Sequence, residues 1–209
     1  MVRGEYRVNI DLTKTNKLID WLKNMLYINT KVNLAGKRVV YRGQVYFCEL
    51  GEGIGSEECK ERPCIILQNN VGNGKSQNTI IAPITNGGLL PATAVAIPSN
   101  TYSYINKTGN TEYLSGNILL SNIVTVSKAR LNNFICDLSK DKKLMQEVDE
   151  KMITSIGLYG TLKKLNDTII SDKNSIKRLI EQRNKLTEEK EKLEKLLEEN
   201  TCKKIENSI

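Results

Sequence analysis

Residues 12 to 28, LTKTNKLIDWLKNMLYI, repeat apolar side chains at helical spacing: Leu18, Ile19, Trp21, Leu22, Met25 and Leu26 fall on one stripe, with Lys and Asn around the rest. The pattern predicts an amphipathic helix that docks on the domain after it. From about 38 to 126 the period shortens to β-rich runs, RVVYRGQVYFCEL, PCIILQN, NTIIAPIT, ATAVAIP and GNILLSNIVTV, separated by Gly-, Asn- and Ser-rich turns. These runs are too short for helices and predict a compact β domain, a barrel or a strongly curved sheet. Two helical stretches are expected next. SKARLNNFI (127 to 135) is short, and LSKDKKLMQEVDEKMITSIGLYG carries Leu144, Val148, Met152, Ile156 and Tyr159 near helical spacing, with Ser139 and Asp141 as candidate N-caps.

The last region repeats every seven residues. One core position takes Leu162, Ile169, Ile176, Arg183, Lys190 and Leu197; the other takes Leu165, Asp172, Leu179, Leu186, Leu193 and Asn200. Eight of these twelve positions are apolar, which predicts a coiled coil of about five heptads with Arg183 and Lys190 available to set register or partner choice. The chain therefore divides into an N-terminal helical extension (1–37), a β domain (38–160) and a coiled coil with its tail (161–209).

The segment VGNGKS (71 to 76) ends like a Walker A phosphate loop. That motif needs glycine five positions before its Gly-Lys pair and a helix opening at the lysine. Asn69 stands at the glycine position, and SQNTIIAPIT reads as turn then strand. A flexible loop remains, whose Asn73 and Lys75 can touch a phosphate or a base edge.

Charge and cysteine content narrow the chemistry. The net charge of +7 favours a polyanionic partner such as nucleic acid. The 49 residues of the last region hold 12 Lys plus Arg against 10 Asp plus Glu, too balanced for the basic arm of a DNA-binding zipper. Five scattered cysteines without C-x-x-C pairing read as reduced thiols of a cytoplasmic protein rather than a zinc site. No apolar run approaches the roughly 18 residues of a membrane span, so no membrane association is expected. The chain has no histidine, so an enzyme here must move protons with other groups.

The stretch from 42 to 85 is the specific one. Arg42-Gly43-x-Val45-Tyr46, Gly55-Ser56-Glu57, Arg62-Pro63, Gln68-Asn69, Gly72-Asn73 and Ile84-Thr85 occur in the order and spacing of the MazF/PemK toxin endoribonucleases, and the chain resembles that family to about Leu158. The resemblance implies an α+β, mainly β fold: a small SH3-like barrel of the MazF, PemK and CcdB kind with packed helices. It implies a homodimer that cuts single-stranded RNA without metal or cofactor, an acidic antitoxin that covers the RNA surface, and DNA binding together with that antitoxin. By the family's pattern Arg62 and Thr85 form the catalytic pair, with Ser56 and Glu57 in a mobile loop beside them. Gln68, Asn69, Asn73, Lys75 and Asn122 are candidate RNA contacts. The alternative is a non-catalytic barrel that binds a protein target, as gyrase-poisoning relatives of the fold do, or nucleic acid.

The residue chemistry fits the first reading. Attack of a ribose 2′-hydroxyl on its own phosphate needs a proton acceptor, a donor for the leaving 5′-oxygen and positive charge for the crowded oxyanion. Arg62 offers charge and a planar fork for two phosphate oxygens, and the Thr85 hydroxyl can donate or accept. Deprotonating an arginine near neutral pH costs on the order of 8 kcal/mol, so Arg62 is expected as electrostatic and acid group, with Glu57 as contributing base. Two departures stand out. The family's Glu-Gln-Ile-Arg run aligns with Ser121-Asn122-Ile123-Val124, replacing an arginine by Val124, and Lys60-Glu61 replace the usual small residues before Arg62-Pro63.

Overall fold

The computed structural model describes residues 11–87 and 91–206, so residues 1–10 of the expected extension lie outside it. The chain forms two compact units, Met1–Gly157 and Leu158–Ile209.

The first unit opens with α1 (Leu12–Thr30), whose N-cap Asp11 accepts from the Thr13 and Lys14 N–H groups, and the short α2 (Val32–Ala35). Strands β1 (Gln44–Glu49) and β2 (Glu61–Ile66) follow, then α3 (Asn70–Lys75) and β3 (Asn78–Thr85). After these come β4 (Ala94–Ala96), β5 (Ser103–Ile105), β6 (Thr111–Tyr113), β7 (Asn117–Leu119) and β8 (Val124–Ser127). A 3-10 turn at Lys128–Arg130 leads into β9 (Leu131–Asp137), and α4 (Lys142–Ser155) closes the unit. The cap of α4 is Asp141, which accepts from the Leu144 N–H. Gly157, at φ +77, follows in a left-handed conformation that suits glycine at a helix end.

Seven strands make one antiparallel sheet in the order β4-β7-β3-β2-β1-β9, with β8 also on β3; β5 and β6 form a separate hairpin that the sequence pattern did not announce. Long β3 serves two neighbours on one edge: Asn78–Ile81 pair with β8, and Ile84–Thr85 with β7. The sheet is sharply curled. Strands β8 and β9 lie at opposite edges of the order β8-β3-β2-β1-β9, yet three residues join them. A flat sheet would hold those edges about 19 Å apart, four gaps of about 4.8 Å, whereas three residues of 3-10 turn advance only about 6 Å. No ladder joins β8 to β9 among the described residues, so the ladder stays open where a barrel was expected.

Both faces of the curl are packed. On one, Val45, Ile65, Ala82 and Ile84 meet Leu144 and Val148 of α4. On the other, Tyr46, Cys48, Cys64, Ile66 and Ile81 meet Val126 and Leu131. This period-two alternation is what the sequence runs encode.

Three expected elements differ. SKARLNNFI is the 3-10 turn and the start of β9, because pairing with β1 supplies backbone partners that a nine-residue helix would lack. VGNGK is the helix α3 rather than a loop, capped by Asn69, which accepts from the Gly72 N–H. Helix α1 docks through fewer residues than its stripe suggested. Ile28 is buried and Trp21 packs on Gly51 beneath the Arg130 guanidinium, while Leu18, Ile19, Leu22, Met25 and Leu26 stay exposed. Of the α4 positions, Leu144 and Val148 are buried and Met152 packs beside them, whereas Ile156, beyond the helix end, is exposed.

The second unit is one helix, α5 (Tyr159–Glu206), 48 residues long. Its residues are exposed on every face through Leu197. Among the described residues, no helix of the chain is long and apolar enough to cross a membrane.

Candidate active site

The hairpin of β2 and β3 sets the geometry. Cys64 faces Pro83, Ile65 faces Ala82 and Ile66 faces Ile81. Continuing that register by two residues brings Arg62 opposite Thr85. Side chains two apart on a strand share a face, so Arg62, Cys64, Pro83 and Thr85 all belong to the face that carries Cys48 and Val126. Both candidate catalytic residues are half-buried.

An open cleft of about 680 Å³ lies on the same face, lined by Ser56, Glu57 and Glu58 of the β1–β2 loop, Pro83, Asn122 and Val124. Its rim is tied to Arg62. The Arg62 Nε–H donates to the Cys59 carbonyl at 3.1 Å, and the Glu58 Oε2 lies 2.7 Å from the same nitrogen as an ion pair, off the hydrogen-bonding direction. Glu57 is exposed, and its carboxylate accepts the Ile54 N–H at 2.9 Å. Ser56 is exposed next to Gly55, whose φ of +64 lets the loop turn back. On the opposite wall the half-buried Asn122 accepts from the Ser121 hydroxyl at 2.8 Å. Val124 is registered against Ile81, which turns it toward this face.

The remaining sequence-derived contacts lie elsewhere. Gln68, Asn69, Asn73 and Lys75 sit at the opposite end of the β2–β3 hairpin, about 13 Å or more along the strands from Arg62 at roughly 3.3 Å per residue. Asn73 is buried and spoken for: its amide donates to the Gln68 carbonyl at 2.8 Å and its Oδ1 accepts from Thr79 at 2.8 Å. That corrects its expected role at RNA, since both amide atoms serve the framework. Gln68 packs against Gly72, where any Cβ would collide with the amide, and Asn69 spends its side chain on the α3 cap. Lys75 alone of the four presents an exposed charge.

Two groups beside Arg62 escaped the sequence reading. Glu58 is one, because a carboxylate in a loop gives no sign of the partner it folds onto. The other is the pair Glu49 and Glu61, facing across β1 and β2 one residue along from Cys48 and Arg62 and so on the opposite face of the sheet. Burial, then the Glu61 charge, raises the Glu49 carboxyl above its ordinary value. Glu61 in turn accepts from Lys107 Nζ and Asn132 Nδ2, each at 2.6 Å. Nearby Cys48 and Cys64 are buried; the Cys64 thiol is raised by its contact with Cys48 and by burial, which keeps it protonated and inert. No three His, Cys, Asp or Glu side chains among the described residues converge on a metal-sized site.

A curled antiparallel sheet with an arginine and a threonine on one face, beside an open polar cleft, defines a small β-domain protein with its site at the strand ends. Residues 41–156 match the family model described as PemK-like, MazF-like toxin of type II toxin-antitoxin system, and the chain belongs to that family. Endoribonuclease EndoA of Bacillus subtilis (strain 168) is 36% identical over 123 residues, which cover 57% of this chain and 97% of the relative. Among solved structures, an endoribonuclease in complex with its cognate antitoxin from Mycobacterial species is 26% identical, covering 57% of this chain and 96% of that one with a TM-score of 0.44. MazF from Deinococcus radiodurans is 18% identical, with 57% and 98% covered and a TM-score of 0.46.

Proposed function

We propose that this chain is the toxin of a type II toxin–antitoxin system and an endoribonuclease that cuts single-stranded RNA without a metal. The observation that carries the reading is the register of β2 and β3, which pairs Cys64 with Pro83 on the face of the cleft; carried two residues past that last pair, it supports Arg62 and Thr85 as the catalytic pair. The finer shape belongs to this reading: the curled sheet is the family's SH3-like barrel, open between β8 and β9.

The reaction is a transesterification. A ribose 2′-oxygen attacks the adjacent phosphorus and gives up its proton, the P–O5′ bond breaks, and the leaving 5′-oxygen takes a proton. The products are a 2′,3′-cyclic phosphate and a 5′-hydroxyl. Arg62 holds the phosphate oxygens and stabilises the added charge, with Thr85 as a hydroxyl partner at the same phosphate. Glu57 accepts the 2′-proton once RNA draws the β1–β2 loop over the cleft and its carboxylate leaves the Ile54 N–H. Ser56 and Asn122 flank the path of the strand, Asn122 offering an amide to a base edge. An acidic antitoxin competes with RNA for this site of a cytoplasmic homodimer.

Purified chain, EDTA and a long single-stranded RNA test this directly. Expected are discrete cuts with cyclic-phosphate ends, lost by at least about 10²-fold in Arg62→Ala and by a similar factor in Thr85→Ala. Intact RNA after incubation with folded chain would sink the nuclease reading in favour of a binding protein. A Glu57→Gln variant whose pH–rate profile matches the parent would remove Glu57 from the base role alone.

A further inference from the structure

We propose that α5 pairs with the α5 of a second copy of this chain in antiparallel orientation, in the register that sets Ile176 against the second copy's Leu179. This rests on the helix itself and not on the nuclease reading. Leu162, Leu165, Ile169, Ile176, Leu179, Leu186 and Leu193 are 43% to 65% exposed along α5, a seam too continuous for an isolated helix.

The charges within that seam choose orientation and register. Asp172 stands at one core position and Arg183 at the other, eleven residues on. Asp172 has no ion-pair partner among the described residues, and Arg183 reaches only the Asn184 side-chain oxygen, at 2.9 Å. In an antiparallel pair the two kinds of core position face each other. With Ile176 on Leu179, Asp172 of each copy falls opposite Arg183 of the other, twice by symmetry. The same register sets Ile169 on Leu186 and Leu162 on Leu193. Lys190 then meets Leu165 near the outer end, where its stem can lie on the leucine and its ammonium reach water beside Glu194, already 3.4 Å away.

Other arrangements do worse. A parallel pair stacks Asp172 on Asp172, Arg183 on Arg183 and Lys190 on Lys190, and brings Glu189 beside Glu194 of the other copy. Sliding the antiparallel pair one heptad in either direction puts Arg183 against a leucine. The matched charges specify the pairing more than they strengthen it, since a desolvated ion pair gains little net stability. A surface complementary to itself under a two-fold axis points to a second copy rather than an unrelated helix.

Spin-label distances on the full chain test this, with Cys59 and Cys202 replaced by serine. A label at Lys177 sits near the two-fold axis and should give a distance below about 25 Å, whereas labels at Lys192 should lie roughly 45 Å apart at about 1.5 Å rise per residue. Asp172→Arg should erase the Lys192 distance by opposing two arginines, and the double variant Asp172→Arg with Arg183→Asp should bring it back. Short distances at both sites would show a parallel pair and overturn the proposal. So would no inter-chain distance at either site, or a double variant that fails to recover.

Discussion

Arg62 is engaged before any RNA arrives: Glu58 lies 2.7 Å from its Nε. A phosphate must share the guanidinium charge with that carboxylate, so Glu58 acts as an internal competitor. Glu58→Gln should therefore lower the KM for RNA by roughly fivefold, the worth of an ion pair of about 1 kcal/mol, with little change in kcat; steady-state cleavage of a short RNA checks it. Val124 offers the converse experiment. It lines the cleft, and Val124→Arg should tighten RNA binding and steepen the log–log salt dependence by about 0.7, one added phosphate contact on a single strand. An unchanged slope would mean that the new guanidinium points away from the strand. Arg62, Thr85 and Glu57 are the residues that the family resemblance singles out, and they lie on one hairpin and the loop before it. Glu58 was not legible in the sequence, since nothing in EECKER says which acid turns inward, and Asn73 misled because a buried amide and an exposed one are spelled alike.

Among the elements, strands were legible wherever polar and apolar residues alternate, and helices wherever apolar residues recur at helical spacing, as in α1 and in α4 behind its cap Asp141. Failures came where tertiary contact decides. Residues 131–135 take strand form because β1 offers an unpaired edge, and α3 forms because Asn69 and the Lys128 ammonium, which donates to the Asn73 carbonyl at 2.6 Å, hold it at both ends. The docking of α1 is equally contextual. Gly51, at φ +93, leaves room for the Trp21 ring that any Cβ would overlap. Trp21→Ala should destabilise the first unit by about 1–2 kcal/mol, through lost packing and the Arg130 contact. Gly51→Ala should cost more, and less in the Trp21→Ala background, where only the backbone penalty remains. Denaturant melts of the four members of this cycle measure the coupling, and simple additivity would show that the indole does not bear on Gly51.

At the scale of the molecule, two tyrosines brace the sheet's outlying parts. Tyr102 donates to Asp141 at 2.9 Å and Tyr104 to Glu112 at 2.7 Å, and burial, then these acceptors, pushes both phenols up to about 12. The neutral phenols are the folded form. An unfolded chain loses those protons near pH 10 and the folded chain only near 12, so stability should fall as pH rises from 10 to 12. Melts across that range, with absorbance titration of the phenolates, check the sign; a phenylalanine at both positions should flatten the slope. The β domain and the seam of α5 are separate regimes of hydrophobic period, and a strongly curved sheet was among the expectations for the first; the order of its strands was not legible, because it follows from long-range pairing. That curl has a consequence in time. Strands β8 and β9 lie within the fourteen residues from Val124 to Asp137, joined by a single turn. A chain emerging from the ribosome therefore lacks both β8 and β9 until this late stretch appears, and the two then become available almost together. The 48 residues of α5 are made afterwards, so the site can be finished while the helix that pairs two copies is still being synthesised.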